Sequence, residues 1–206
     1  LNMSIIVCIF IGISGNVTNQ LYIPYGIALH PTTSTLYISD YGNHRIMSYS
    51  SGADNGTLIF GSGELGFNNI QLYNPVGLHY DAFTNSLIIA NHAANNVVRF
   101  VLGTNNWKLL AGSPIGLSGI TSDRLNRPID ITLDSMGNLY VADRNSHRIQ
   151  FFPNGQLNGT TIAGVTGVNG TNATTLERPW SVKLDSQLNI YVADANNHRI
   201  QKFLRY

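Results

Sequence analysis

At 206 residues, with 43% hydrophobic and 10% aromatic residues, the chain has a globular composition and enough length for one sizeable core. Charged residues are only 11% and the formal net charge is +1, which excludes a global field that would steer nucleic acid, anionic lipid or an acidic partner. The single cysteine, Cys8, excludes an intramolecular disulfide.

Cys8 lies in the apolar run Ile5-Ile6-Val7-Cys8-Ile9-Phe10-Ile11, with no Lys, Arg or His nearby to lower its pKa, and reads as a small buried hydrophobe. The run has no basic residue ahead of it and is too short to span a bilayer. Beyond it the chain repeats itself. Four copies open on Pro24, Pro75, Pro128 and Pro179, spaced by 51, 53 and 51 residues, the period of a propeller blade.

Each copy continues in the same order. A short alternating segment comes first (Tyr25-Gly26-Ile27-Ala28-Leu29, Val76-Gly77-Leu78-His79-Tyr80, Ile129-Asp130-Ile131-Thr132-Leu133, Trp180-Ser181-Val182-Lys183-Leu184), large and apolar at every second position as in a strand with one apolar face. Turn residues such as Asp134-Ser135-Met136-Gly137-Asn138 mark a tight hairpin. A second segment, LYIS, LIIA, LYVA or IYVA, is apolar nearly throughout and should be covered on both faces; Ser39, Ala90, Ala142 and Ala193 close it with a small side chain, where something packs closely. The third segment, His44 to Tyr49 and its equivalents, is more polar and is expected further from the core. A fourth ends on Gly61, Gly112 or Gly164. The last copy stops before its fourth strand, whereas Ile9-Phe10-Ile11-Gly12 supplies an extra one ahead of Pro24. Residues 5–12 are therefore expected to form an outer strand pairing with the C-terminal blade, which removes an edge.

The stretches LYVADRNSHRIQFF (139–152) and IYVADANNHRIQKF (190–203), with weaker copies at 36–49 and 87–100, resemble the NHL repeat family in register with the proline opening and the period. The resemblance covers essentially the whole chain, residues 1–206, as one domain. It implies an all-β fold, a β-propeller of four-stranded antiparallel blades. Such propellers most often have six blades and this chain supplies four, so it forms either a closed four-bladed ring or a fragment of a six-bladed one; a start at Leu1, without Met, favours the fragment.

Positions identical in every copy serve the fold, and those that differ point to function. The pairs Asp40/Arg45, Asp143/Arg148 and Asp194/Arg199 stand five residues apart across the turn from strand two to strand three. In the second copy both members change together, to Asn91 and Asn96, as expected if the two side chains touch, since a lone buried charge costs about 1–3 kcal/mol or more. His44, His147 and His198 occupy equivalent places in separate blades and read as hydrogen-bonded structural residues, not a zinc set.

Among variable positions, His79, Asp130 and Lys183 on the innermost strand are candidates for the channel wall. Tyr41, His92 and Arg144, after the end of strand two, are candidates for a recognition rim. Trp180 shares the apolar phase of its strand and is expected in the core. No metal ligand set and no cofactor are implied, and no P-loop, nucleophile elbow, zincin or EF-hand motif occurs. Sequons beginning at Asn2, Asn16, Asn55, Asn158, Asn169 and Asn172 point to an extracellular glycoprotein.

The expected function is non-enzymatic binding of a protein or other macromolecule through one rim. The resemblance also admits a lyase-like enzyme with a metal in the channel, as in the peptide-amidating lyases of the family, and an RNA-binding or substrate-recognition module of a ubiquitin ligase, which this net charge disfavours.

Overall fold

The computed structural model describes residues 14–204. Cys8, the sequon at Asn2 and the outer strand expected at residues 5–12 lie outside them. The fold is all-β, a succession of four antiparallel propeller blades. Blade one holds β1 (Pro24–Leu29), β2 (Leu36–Asp40), β3 (Arg45–Tyr49) and β4 (Thr57–Phe60). Blade two holds β5 (Pro75–Asp81), β6 (Ser86–Asn91), β7 (Asn96–Val101) and β8 (Trp107–Gly112). Blade three holds β9 (Pro128–Leu133), β10 (Leu139–Asp143), β11 (Arg148–Phe152) and β12 (Thr160–Gly164). Blade four, among the described residues, holds β13 (Ser181–Leu184), β14 (Ile190–Asp194) and β15 (Arg199–Phe203). No helix of the described residues is long and apolar enough to cross a membrane.

The blades keep one register. Ile27 pairs with Ile38, Leu78 with Ile89, Ile131 with Val141 and Val182 with Val192. The hydrophobic core is accordingly not one mass but a layer between successive blades. Tyr37, Ile46 and Phe60 of blade one meet Leu78, Ile89 and Val98 of blade two. Ile88, Ala90 and Val97 meet Ile131, Leu139 and Val141. Ile129, Tyr140 and Ile149 meet Val182, Ile190 and Val192. A leucine from each connecting loop, Leu72, Leu125 or Leu176, seals the layer with no exposed surface.

The third strand lies outside the second in each blade, yet in blades one and three it is more deeply buried than its polarity suggests, whereas β15 of blade four is not. β3 is buried along its whole length and β11 nearly so, because its polar side chains turn under the loop that enters the blade. The two ends of the array differ from its interior. Ile27 is 67% exposed, whereas its sisters Leu78, Ile131 and Val182 are 9%, 1% and 0% exposed. Ile200 is 69% exposed, against 0% for Ile46, Val97 and Ile149.

Candidate functional site

Strand two of each blade ends in a carboxylate or amide that holds the fold at the rim. In blade three, Asp143 Oδ1 accepts the N–H of Asn126 at 2.6 Å and Oδ2 accepts Arg148 Nε at 2.8 Å. The same guanidinium donates to the carbonyls of Ile120, Thr121 and Arg124. Asp143 is fully buried and Arg148 almost so. Asp40/Arg45 and Asp194/Arg199 repeat the arrangement at 2.7 and 2.8 Å. These pairs therefore tie each entering loop to its blade. In blade two the two asparagines bind different groups. Asn91 still accepts the N–H of Tyr73, but Asn96, its register partner across β6 and β7, donates to the carbonyl of Ser113; the expected contact is made by the Asp–Arg pairs of the other three blades. Trp107 takes over the loop, donating from Nε1 to the carbonyl of Gln71.

A second repeated device joins neighbouring blades. A one-turn 3-10 segment follows strand two, and the residue closing it is left-handed: His44, Asn95 and His147 have φ of 53°, 54° and 57°, a conformation Asn and His tolerate better than most residues. The side chain is thereby aimed at the next blade. His44 Nδ1 accepts the N–H of Asn74, Asn95 Oδ1 that of Arg127 and His147 Nδ1 that of Arg178, each donor being the residue before a blade-opening proline. An accepting Nδ1 requires a neutral ring, and burial lowers the pKa of both His44 and His147 below the ordinary 6.5. The unfolded chain then takes up protons first, so this stability is complete above pH 6.5 and is lost as the pH falls through that value toward the folded pKa. His44→Asn combined with His147→Asn, copying Asn95, should flatten the fall in Tm between about pH 7.5 and about pH 5; an unchanged slope in thermal melts would refute the assignment.

The innermost strands β1, β5, β9 and β13 line one concavity, with Gly26, Gly77, Asp130, Ser181 and Lys183 on its wall and Tyr25 and Trp180 at its mouth. Glycine lets adjacent backbones approach: a Cβ on Gly77 would lie 2.7 Å from the carbonyl oxygen of Ile129. Between blades three and four a side chain bridges instead. Asp130 accepts from Ser181 Oγ at 2.5 Å, from the N–H of Val182 at 3.1 Å and from Lys183 Nζ at 3.1 Å. His79 is within electrostatic reach of both Asp130 and Lys183; its pKa is lowered chiefly by burial and further by the lysine. The channel candidates are thus gathered, but the carboxylate is already engaged. No group of three His, Cys, Asp or Glu suited to a metal exists among the described residues, so the donor set does not fit a channel metal.

On the rim the expected residues are ordered differently from expectation. Tyr41 packs edge-on against Tyr25 at 5.1 Å and lies 6.4 Å from the ring of His92. His92 is buried, its Nδ1–H donating to the carbonyl of Pro128 at 3.0 Å, so it supports the surface from beneath. Arg144 lies 5.2 Å over the ring of Trp180. Trp180, expected in the core, is 41% exposed, and Tyr25 is 47% exposed. Their sisters Val76 and Ile129 are small enough to be covered, whereas the aromatic rings extend past the strand end. Arg127 and Arg178 join this surface; their signal was variation at the residue before each proline, where Ile23 and Asn74 stand in the other copies.

The NHL repeat family model matches residues 125–152 and 176–203, which are the strand-one-to-three units of blades three and four. Two of its repeats are therefore NHL repeats. It is 29% identical over 137 residues to NHL repeat-containing protein 3 of Homo sapiens, a match covering 63% of the chain and 39% of that relative. The chain thus spans about two fifths of the length of this curated relative. Among solved structures it resembles an auxiliary nutrient binding protein from Bacteroides thetaiotaomicron, with a TM-score of 0.69 at 19% identity over 87% of the chain and 47% of that protein. It also resembles a gluconolactonase from Xanthomonas campestris, with a TM-score of 0.68 at 17% identity over 92% of the chain and 60% of that protein. At these identities the structural likenesses concern the fold alone. The two matched repeats are two of the three blades that carry both the Asp–Arg pair and the histidine.

Proposed function

We propose that this NHL propeller is a non-enzymatic recognition module whose contact surface is the rim at the blade-opening prolines. The observation that carries the reading is continuity. Tyr25, Tyr41, Arg144 and Trp180, supported from beneath by His92, form an aromatic and basic surface around the channel mouth, and aromatic residues and arginine are the usual anchors of protein interfaces. The bound macromolecule is a protein on this reading. Its setting is extracellular, with glycans at the sequons of Asn16, Asn55, Asn158, Asn169 and Asn172, all exposed.

The channel supports an enzymatic reading less well. Although structural neighbours include gluconolactonases, Asp130 is engaged as a bridge between blades three and four, Oδ2 accepting from Ser181, Val182 and Lys183 and Oδ1 lying 3.4 Å from Lys183 Nζ.

The test is a comparison of proteins captured by the parent chain and by the double variant Tyr25→Ala/Trp180→Ala. Phe83→Ala serves as the control, since Phe83 is 97% exposed on the hairpin at the far end of β5. Capture should fall by about tenfold or more in the rim variant and hold in the control, as expected of interface anchors worth about 2 kcal/mol each. Equal capture by all three would sink the rim assignment.

A further inference from the structure

On the rim between blades three and four, Arg127 and Arg178 lie within electrostatic reach of Arg144, and none of the three has a counter-ion among the described residues. Arg127 and Arg178 are the residues before Pro128 and Pro179, and Arg144 opens the turn after Asp143. Among the described residues, no carboxylate lies within 4.0 Å of any of the three. Every other arginine of the described residues has such a partner: Arg45, Arg99, Arg124, Arg148 and Arg199.

The arrangement is fixed in advance. Arg127 and Arg178 are held in the left-handed region at φ 54° and 50°, and their N–H groups are bound by Asn95 and His147 of the preceding blade. Arg144 is laid over Trp180, with Nη1 donating to Asn145 Oδ1 and with Nε buried and unpartnered. Burial, and then the charges of Arg178 and Arg127, lower the Arg144 pKa. Arg144 and Arg127 also lower the pKa of His92, after burial. The opposing influences are Tyr25 on Arg144 and Glu177 and Asp194 on His147. Like charges carried close together on fixed backbones are a standing cost that an anion relieves, and a guanidinium fork matches a carboxylate in two parallel hydrogen bonds.

We infer that Arg127, Arg144 and Arg178, with Trp180 beside them, form a carboxylate-binding site that anchors an acidic segment of a partner protein on this rim. The inference rests on the recognition reading above and names the chemistry of its partner. Charge complementarity sets the choice of occupant. The patch holds three guanidinium groups in a chain whose net charge is +1, a compact match for one or two carboxylates. A nucleic acid requires a longer basic track to neutralise successive phosphates.

The probe is fluorescein-labelled hexaglutamate, with labelled hexaglutamine and a labelled ten-nucleotide oligouridylate as comparisons, followed by anisotropy at low salt. Hexaglutamate should bind and hexaglutamine should not. Arg144→Gln should weaken hexaglutamate binding about tenfold, and Arg127→Gln/Arg178→Gln by a similar factor, since each substitution removes a charge-assisted contact. Arg144→Lys, which keeps the charge but loses the fork, should recover only part of the affinity. Lys183→Gln, in the channel, should leave binding unchanged, and thermal melts check that every variant is folded.

Three outcomes would overturn the inference: no preference for hexaglutamate over hexaglutamine, binding indifferent to all three arginines, or tighter Arg144-dependent binding of the oligouridylate. The recognition reading can survive that failure. A captured partner that is lost in Tyr25→Ala/Trp180→Ala but retained in Arg127→Gln/Arg178→Gln removes the carboxylate anchor and keeps the rim, whereas a partner retained in both removes the rim itself.

Discussion

Replacing Arg148 by alanine should destabilise the protein by about 3–5 kcal/mol, the cost of leaving a buried charge without its partner. Asp143 is fully buried, and Arg148 is the only cation within salt-bridge distance of it among the described residues. The three carbonyls of Ile120, Thr121 and Arg124 also lose their donor. The second blade shows how the same place is filled without charge. Asp143→Asn together with Arg148→Asn, copying Asn91 and Asn96, should therefore cost less than Arg148→Ala alone, because an asparagine at 143 still accepts the N–H of Asn126. Burial already pushes the Asp143 carboxyl upward. Without the arginine the group protonates more readily, so the penalty of Arg148→Ala should shrink as the pH falls. Urea unfolding of both variants across pH measures this; a double variant no more stable than the single one would show that the cost comes from the lost packing of the arginine stem.

Much of this architecture can be read from the chain alone, because it is written four times. The prolines set the register, the alternation after each identifies the innermost strand, and the near-continuous apolar run identifies the second. The fourth-strand glycines are visible too, but their reason is not. Gly112 and Gly164 have φ of 81° and 80°, and a Cβ on either would stand 2.3 Å from the carbonyl oxygen of Asn95 or His147, a clash between strand four and the turn that opens strand three.

What escapes the sequence is contact between blades. His92 occupies a variable rim position yet is roofed by Pro128 of the following blade. Trp180 follows the apolar phase, but phase records direction and not reach, and an indole extends beyond a place that covers Val76 or Ile129. Arg127 and Arg178 sit among turn residues, and only the packing of blade three on blade four brings them within electrostatic reach of Arg144.

The sharpest difference between equivalent positions concerns the ends of the array. Ile131→Glu should cost about 4–5 kcal/mol or more, since it buries a carboxylate in the layer between blades two and three, where Ile88, Ala90 and Val97 offer it no partner. The same substitution at Ile27, the register equivalent two blades back, should change stability by no more than about 0.5 kcal/mol, because that side chain faces solvent. Ile149→Glu and Ile200→Glu make the corresponding pair at the other end, at 0% and 69% exposure. Equilibrium unfolding of the four variants reads the effect directly. Identical chemistry at identical strand positions leaves the neighbouring blade as the variable, so the difference within each pair measures what one inter-blade layer contributes. If Ile27→Glu proves as costly as Ile131→Glu, the face of blade one is covered in solution, and the dependence of that cost on protein concentration separates a second copy from a contact within the chain.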